Sequence, residues 1–314
     1  MDITSAQGSL SDPRLPPELE RLIFEFAALS HPLGIATSML VAGRVKDWVE
    51  PFLYRVLYIT SPYRAQLHGF PAIPVEVLLR SFIFRPALFE TSVECLFLDR
   101  TPTQHPRHVV VNAILSTCPG ITTLLAGFPL KGISLDILKS LRCLRRLSIH
   151  IEALFASRMN NTIASGVLEI DFLHPAFRNV THLELLDDSY DTETQYSLYA
   201  KISHMPCLTH VAFNDVALCC DTEPLFQMHA QLRCLVFLGT QIEQEQIPPW
   251  PHSDRFVHIR RADYVADWFR GAQTGEDYWA LAEEFIAAKR AGRVARLRYS
   301  ISDTDASWRT NVIG

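Results

Sequence analysis

The sequence predicts an α/β protein in three parts: a short helical segment, a long run of repeated helix–strand units, and a helix that covers the C-terminal end. Two observations carry this prediction. An apolar-x-x-apolar-x-apolar pattern recurs between Val93 and Phe237, and each interval between its copies has room for one helix. On both sides of this region, apolar residues recur at the three- and four-residue spacing of helices.

The composition is that of an ordinary folded protein and limits its partners. Hydrophobic residues make up 48% of the 314 residues and charged residues 20%, so the chain can bury a substantial core. With 29 basic and 34 acidic residues, the net charge of −5 argues against a general nucleic-acid-binding surface, although not against a local basic patch. We therefore predict no nucleic-acid partner.

The sequence also bears on the cellular compartment. No apolar run approaches the roughly 18 residues that a membrane span requires, and the N-terminus lacks the basic start and apolar core of a secretory signal. The seven cysteines are an odd number and are scattered, which is typical of reduced thiols. These features predict a cytoplasmic or nuclear protein without a membrane partner.

The N-terminal segment begins with an amphipathic helix. Pro16 and Pro17 suit its first turn, where a missing backbone N–H costs nothing, and Pro32 ends it because the residue before a proline is pushed out of helical geometry. Residues at helical spacing predict one apolar face: Leu19, Leu22, Ile23, Phe26 and Ala27. Phe24 lies off this face, so something besides the local core is expected to cover it.

Two further short helices complete the segment. The second carries the apolar residues Leu33, Ile35, Ala36, Met39 and Leu40. The third carries Val45, Trp48, Val49, Phe52, Leu53 and Val56, and Pro51 should kink or restart it. Three helices this short bury only a marginal core, so the unit should lean on a partner or on the next domain.

The spacing Leu15-Pro16-x-Glu18-Leu19-x-x-x-Ile23-Phe24, followed by Val45-x-x-Trp48 and Leu53-Tyr54-Arg55-x-Leu57, resembles the F-box motif, in particular the F-box-like proteins abundant in fungi. The resemblance implies docking onto the small Skp adaptor of cullin–RING ubiquitin ligases. The docking residues that it implies are Leu15, Pro16, Leu19, Ile23, Phe24 and Trp48. One departure from the motif is the missing cysteine near Gly43-Arg44.

The body of the chain repeats a strand pattern. Its copies are Val93-x-x-Leu96-x-Leu98, Ile121-x-x-Leu124-x-Ala126, Leu144-x-x-Leu147-x-Ile149, Val180-x-x-Leu183-x-Leu185, Leu208-x-x-Val211-x-Phe213 and Leu232-x-x-Leu235-x-Phe237. The predicted intervening helices include 109–117, 135–141, 192–204 and 223–230. A helix returning to a parallel strand at this interval is typical of an irregular, leucine-rich-repeat-like solenoid. Residues 167–171 are a possible extra strand, next to a polar insertion at 159–166.

The C-terminal region should close this stack. A last strand is predicted over Arg255–Ile259 and a short helix over Asp263–Arg270 that Gly271 stops. A second helix carries the stripe Tyr278, Leu281, Ala282, Phe285 and Ile286 and stops at Gly292. Such a helix can cap the exposed end of a solenoid.

The sequence contains no motif of an enzyme, whether a phosphate-binding loop or the serine turn of hydrolases. His204-x-x-Cys207-x-x-His210 has metal-ligand spacing, but its predicted elements point the side chains apart, and repeat residues are the favoured interpretation. We interpret Cys219-Cys220 as two small buried residues and not as a redox centre. We interpret the acidic run Asp187–Asp191 as a solvated loop after a strand and not as a calcium site. We therefore predict no catalytic residue, no metal and no cofactor.

If the repeat pattern points inward, the alternating neighbours form an open concave face. The predicted target-binding residues on it are Arg146, His150, His182, Glu184, His210, Asn214, Val236 and Leu238. Ser148, Leu186 and Ala212 accompany them, with Phe97 and Leu125 at one apolar end. Exposed apolar patches of this kind indicate a partner or a covering segment, and the C-terminal tail is one candidate to cover part of this face.

The sequence thus divides into a flexible lead (1–12), an F-box-like segment (13–60), leucine-rich-repeat-like units (61–262), a helical cap (263–297) and a tail (298–314). The function predicted from this division is that of a substrate-recognition adaptor, which docks on the Skp adaptor and presents a protein target through the solenoid. The alternative is a non-catalytic interaction scaffold whose N-terminal helices only cap the repeats. A divergent enzyme is a third interpretation, which a deep pocket with converging titratable groups would favour.

Overall fold

The computed structural model describes residues 15–60, 70, 73–99, 107–130, 133, 135–151, 171–187, 192–214, 222–239, 253–260, 263–302, 304–305 and 307–310. Its helices are α1 Pro17–Ser30, α2 Ile35–Ser38, α3 Gly43–Leu53, α4 Val75–Phe84, α5 Pro86–Ser92, α6 Arg107–Thr117, α7 Leu135–Ser140, α8 Thr192–Ile202, α9 Glu223–Met228, α10 Tyr264–Thr274, α11 Tyr278–Arg290 and α12 Ser307–Thr310. Its strands are β1 Val56–Ile59, β2 Cys95–Leu98, β3 Thr123–Ala126, β4 Arg146–Ile149, β5 His182–Leu185, β6 His210–Phe213, β7 Cys234–Leu238, β8 Phe256–Arg260 and β9 Ser300–Ser302.

The described strands form one open sheet of nine parallel strands in the order of the sequence. Each strand pairs with the next one along the chain, so that Leu147 lies opposite Leu183 and Leu183 opposite Val211. A parallel sheet covered on both faces requires apolar residues at successive positions, and β2, β6 and β7 are buried along their whole length. This confirms the predicted α/β class and the strands of the repeat pattern.

The main core lies between the sheet and helices α4 to α9. The middle residues of the repeat pattern all belong to it and have little or no exposed surface: Leu96, Leu124, Leu147, Leu183, Val211 and Leu235. The predicted helices of this region are confirmed to within about two residues at each end. Alternation along each strand sends the neighbouring side chains to the opposite face.

Helices α10 and α11 cover that opposite face. Trp268 and Phe269 of α10 join a cluster with the β1–β3 side chains Val56, Phe97 and Leu125. A second cluster joins Trp279, Ala282, Phe285 and Ile286 of α11 with apolar residues of β7, β8 and β9. The C-terminal helices therefore lie over the sheet, whereas the sequence predicted that they cap the end of the stack.

Several local expectations were wrong. Val56, expected in the third helix, starts β1, and the predicted tail contains β9 and α12. Helix α10, predicted to stop at Gly271, continues through that residue and ends at Gly275. The φ of Gly275 is 80°, a left-handed conformation that glycine adopts freely. Residues 1–12 and 159–170 lie outside the described part of the chain.

The N-terminal helices form a separate small core. Ala28 of α1, Ile35 of α2, and Val45 and Val49 of α3 are buried together. Pro51 lies within α3, which continues to Leu53. Among the described helices, none is long and apolar enough to cross a membrane.

Candidate functional site

Helix α1 turns an apolar face to solvent. Leu19, Leu22, Ile23 and Phe26 are 48%, 59%, 53% and 72% exposed, and Leu15, just before the helix, is 52% exposed. Leu15, Leu19, Leu22 and Phe26 are spaced by four, three and four residues, so they lie on one side of the helix. Water therefore contacts a continuous apolar stripe over about three helical turns.

The opposite side of α1 packs on the local core. Ala28 is buried against α3, and Phe24 is a half-buried member of the same cluster. The sequence predicted that Phe24 lies outside the local core, and the structure reverses this assignment. The spacing that predicted the stripe is right, but spacing alone does not tell which side of a helix faces the protein.

The predicted docking residues divide between these two sides. Leu15, Pro16, Leu19 and Ile23 are exposed, whereas Phe24 and Trp48 are half-buried side chains packed on the core of the segment. Leu22 and Phe26, which the motif did not single out, belong to the exposed stripe. The apolar periodicity of the first helix was the signal that could have included them.

Ion pairs lie on the flanks of the stripe. Nη2 of Arg44 in α3 donates to Oε1 of Glu20 (2.9 Å), and Nε of Arg21 donates to Oε1 of Glu25 (2.6 Å). These side chains are largely exposed, so each pair contributes little to stability. The Glu20–Arg44 pair nonetheless ties α1 to α3 beside the apolar residues.

An ion pair between the buried Glu50 and the exposed Arg85 joins the N-terminal helices to the body. Glu50 of α3 is 5% exposed, and its carboxylate accepts from both terminal nitrogens of Arg85, with Nη2–Oε2 at 2.8 Å. The hydrogen bonds from Arg85 lower the pKa of Glu50 despite burial. Tyr54 packs edge-on against Phe89 of α5 nearby (4.7 Å between centroids). The helical segment is therefore held in a defined orientation on the sheet domain.

The face predicted to bind a target is partly closed. Four of its residues are buried under α11: Glu184, His210, Val236 and Leu238. The two apolar ones pack in a cluster with α11, and the two polar ones contact side chains of α11. Arg146, His150, His182 and Asn214 are half-buried. The expected exposure of the first four residues is thus wrong, and for the other four a role in target binding stays a prediction.

The middle of this face is a network of polar contacts with α11. Oε2 of Glu184 accepts from the Ser148 hydroxyl (2.6 Å) and from the Tyr278 hydroxyl (3.1 Å), and Nδ2 of Asn214 donates to Oε1 (3.2 Å). Nη1 of Arg146 donates to Oδ2 of Asp277 (2.6 Å). Polar groups in this location are matched by partners, which is what their burial requires.

Asp277 also caps α11. Its Oδ1 accepts from the backbone N–H groups of Trp279 and Ala280, both at 3.1 Å. Burial raises the pKa of Asp277, and Arg146 acts against that rise. One carboxylate thus starts the helix and joins it to β4.

The described residues contain no group of three histidine, cysteine, aspartate or glutamate side chains that could hold a metal. Of the spacing His204-x-x-Cys207-x-x-His210, Cys207 is exposed and His210 is buried in β6. Cys219, Cys220 and residues 188–191 lie outside the described part. Burial raises the pKa of Cys95 to about 11 and of Cys118 to about 12, so these thiols are poor nucleophiles.

No protein-family model matches this chain, and a search of curated proteins found no significant match. The resemblance to F-box and leucine-rich-repeat proteins therefore stays a prediction.

Proposed function

We propose that this protein is an adaptor that docks, through the exposed face of α1, on the Skp adaptor of a cullin–RING ubiquitin ligase. The observation that carries the proposal is the apolar stripe Leu15, Leu19, Leu22, Ile23 and Phe26. Contiguous exposed apolar surface of this kind marks a binding site in soluble proteins. The stripe coincides with the Leu-Pro motif that suggested docking in the first place.

The geometry favours a groove-like partner surface. An amphipathic helix that lays its apolar side in a hydrophobic groove uses residues spaced as i, i+3, i+4 and i+7. Leu19, Leu22, Ile23 and Phe26 have this spacing. We assign the docking contact to these four residues with Leu15 and Pro16, while Phe24 and Trp48 pack between α1 and the core of the segment.

The body would carry the target. The Glu50–Arg85 pair fixes the N-terminal helices on the sheet domain, so a target bound to the body is held at a defined position relative to the docked ligase. The protein itself supplies proximity, which raises the effective concentration of the target near the transferring enzyme. Catalysis belongs to the partner proteins.

The test is binding of the purified chain to the purified Skp adaptor. In one variant Leu19, Leu22 and Phe26 are changed to serine; in a matched control the same change is made at Val77, Ile83 and Phe84 of α4, which are 52%, 77% and 79% exposed. We expect micromolar or tighter binding by the wild type and the control, and at least tenfold weaker binding by the α1 variant. Absence of wild-type binding, or equal loss in both variants, would overturn the proposal.

An interaction scaffold whose N-terminal helices only cap the sheet domain is the second candidate. The contacts of α3 with α5 and the buried Glu50 favour it, since a cap needs such contacts and no partner. If the protein is such a scaffold, the α1 variant binds every tested protein as the wild type does. The Glu50→Gln variant then has a lower free energy of unfolding than the wild type.

A further inference from the structure

The segment between α11 and β9 is strongly basic. Residues 289–298 contain five lysine or arginine residues, and residues 285–302 contain no acidic residue. The chain as a whole carries a net charge of −5. We call this segment the basic turn (residues 289–298).

The basic turn has a defined backbone. The N–H of Arg293 donates to the carbonyl of Ala288 (2.9 Å) and that of Gly292 to the carbonyl of Lys289 (3.0 Å), with φ of Gly292 at 73°. This pattern closes the helix end in a Schellman-type motif. Val294 is buried in the core under α11, and the N–H of Arg298 closes a second turn onto the carbonyl of Ala295. The segment is therefore ordered before any ligand binds.

Three arginine side chains of the basic turn have no hydrogen-bond or ion-pair partner within the described residues. The guanidinium groups of Arg290, Arg293 and Arg296 belong to exposed residues and form neither kind of contact with another described side chain. Arg298, by contrast, donates to Asp305 (2.6 Å), and Lys289 is 7% exposed.

Two acidic side chains of α11 near the basic turn are already engaged: Glu283 contacts His210, and Glu284 accepts from Arg309. The nearby Asp254 acts on Lys289, whose pKa burial lowers and Asp254 raises. A basic residue at the C-terminal end of a helix stabilises the helix dipole, which accounts for Arg290, the last residue of α11. It does not account for Arg293 and Arg296, which lie beyond the helix.

We propose that the basic turn binds an acidic segment of a partner protein, with Arg290, Arg293 and Arg296 contacting carboxylates. Leu297, which is 77% exposed, adds a contact for an apolar side chain of that segment. A peptide fits better than a nucleic acid, because the three cations occupy one short turn, whereas a nucleic-acid-binding surface extends along many phosphates. The site precedes β9, at the opposite end of the strand order from β1, so it does not rest on docking through α1.

The test uses a fluorescent synthetic peptide of alternating glutamate and aspartate with one central leucine, titrated with the full chain at low and high salt. In the test variant Arg290, Arg293 and Arg296 are changed to glutamine. The matched control carries the same three changes at Arg80, Arg142 and Arg178, which are exposed and lie elsewhere. Both variants have the same net charge, so a difference between them reports position. Circular dichroism and thermal unfolding check that both are folded.

We expect the test variant to bind the peptide about tenfold more weakly than the wild type, since three exposed charge contacts of modest strength are lost. The control should stay within about twofold, and high salt should weaken wild-type binding. Leu297→Ser should weaken binding without changing its salt dependence. Equal losses in the two triple variants, no binding of the peptide by the wild type, or tighter binding of a single-stranded oligonucleotide or of phosphatidylserine vesicles would overturn the proposal.

Discussion

His182 and His210 stack face to face on neighbouring strands, with ring centroids 4.1 Å apart and planes 9° from parallel. Trp279 of α11 packs at a steep angle against both rings. Burial lowers the pKa of His182 to about 2, and the neighbouring His210 and Arg146 contribute to that shift. The stack is therefore a neutral pair at pH 7, and it lies where α11 meets the sheet.

Charged groups from several elements face this pair. Nε2 of His210 lies 2.9 Å from Oε1 of Glu283 on α11, a contact that favours protonation. Arg146 and Arg233 disfavour it, and burial, the largest effect, lowers the pKa of His210. A proton on either ring would place a cation against its neighbour in a buried site.

We predict that the free energy of unfolding falls as the pH drops below about 6.5, the pKa of histidine in an unfolded chain. The unfolded state binds protons there while the folded pair stays neutral, so each such histidine destabilises the fold by up to about 1.4 kcal/mol per pH unit. Urea unfolding between about pH 7.5 and pH 5 measures the slope.

The control compares His182→Gln with His31→Gln, since His31 is exposed. The His182 variant should show a smaller loss of stability on acidification, and the His31 variant the wild-type loss. Some slope remains in both, because burial also lowers the pKa of His258 to about 4. Identical slopes for the wild type and His182→Gln would contradict the prediction.

The cap of α11 allows a second prediction. Asp277→Ala removes both the cap and the partner of Arg146, and should destabilise the fold by about 2 kcal/mol or more. Asp277→Asn keeps one oxygen to cap the helix but turns an NH2 donor towards Arg146, so about half of that loss is expected. Chemical unfolding at pH 7 measures both; equal losses would mean that the side-chain oxygen has no such role.

The repeat pattern predicted β2 to β7 because alternating apolar residues report a strand directly. It could not predict that α10 and α11 lie over the second face. The polar residues Arg146, His182 and Glu184 suggested solvent there, whereas they are matched by Asp277, Trp279 and Tyr278. Such pairs are separated by about a hundred residues or more in sequence, and no local spacing encodes them.

Strand β9 was not predicted, for a related reason. Ser300, Ile301 and Ser302 form a strand only because β8 offers its edge, with Ile259 paired to Ile301. For α1 the apolar spacing was predicted correctly, but not the side that meets α3. Which side is buried depends on Val45 and Val49 of another helix.

A third prediction concerns the tight contact between α10 and α11. A Cβ at Gly271 would come within 2.7 Å of Cβ of Asp277, whereas one at Gly43 would have nothing within 4 Å. Alanine favours a helix over glycine by about 1 kcal/mol, so Gly43→Ala should be neutral or stabilising. Gly271→Ala should lower the melting temperature, because the helices must move apart. A Gly271→Ala variant as stable as Gly43→Ala would show that this contact relaxes freely.

The last prediction tests which side of α1 faces the protein. Phe24→Ala removes a ring from the small core of Ala28, Val45 and Val49, and should cost about 2 kcal/mol of stability, less than a fully buried phenylalanine would. Phe26→Ala removes a ring that is 72% exposed, and should change the stability by less than about 0.5 kcal/mol. The two variants delete the same atoms two residues apart, on opposite sides of α1, so composition and helix propensity are matched. Equal unfolding free energies would mean that α1 is rotated from the orientation described, and the stripe assigned to docking would then be part of the core.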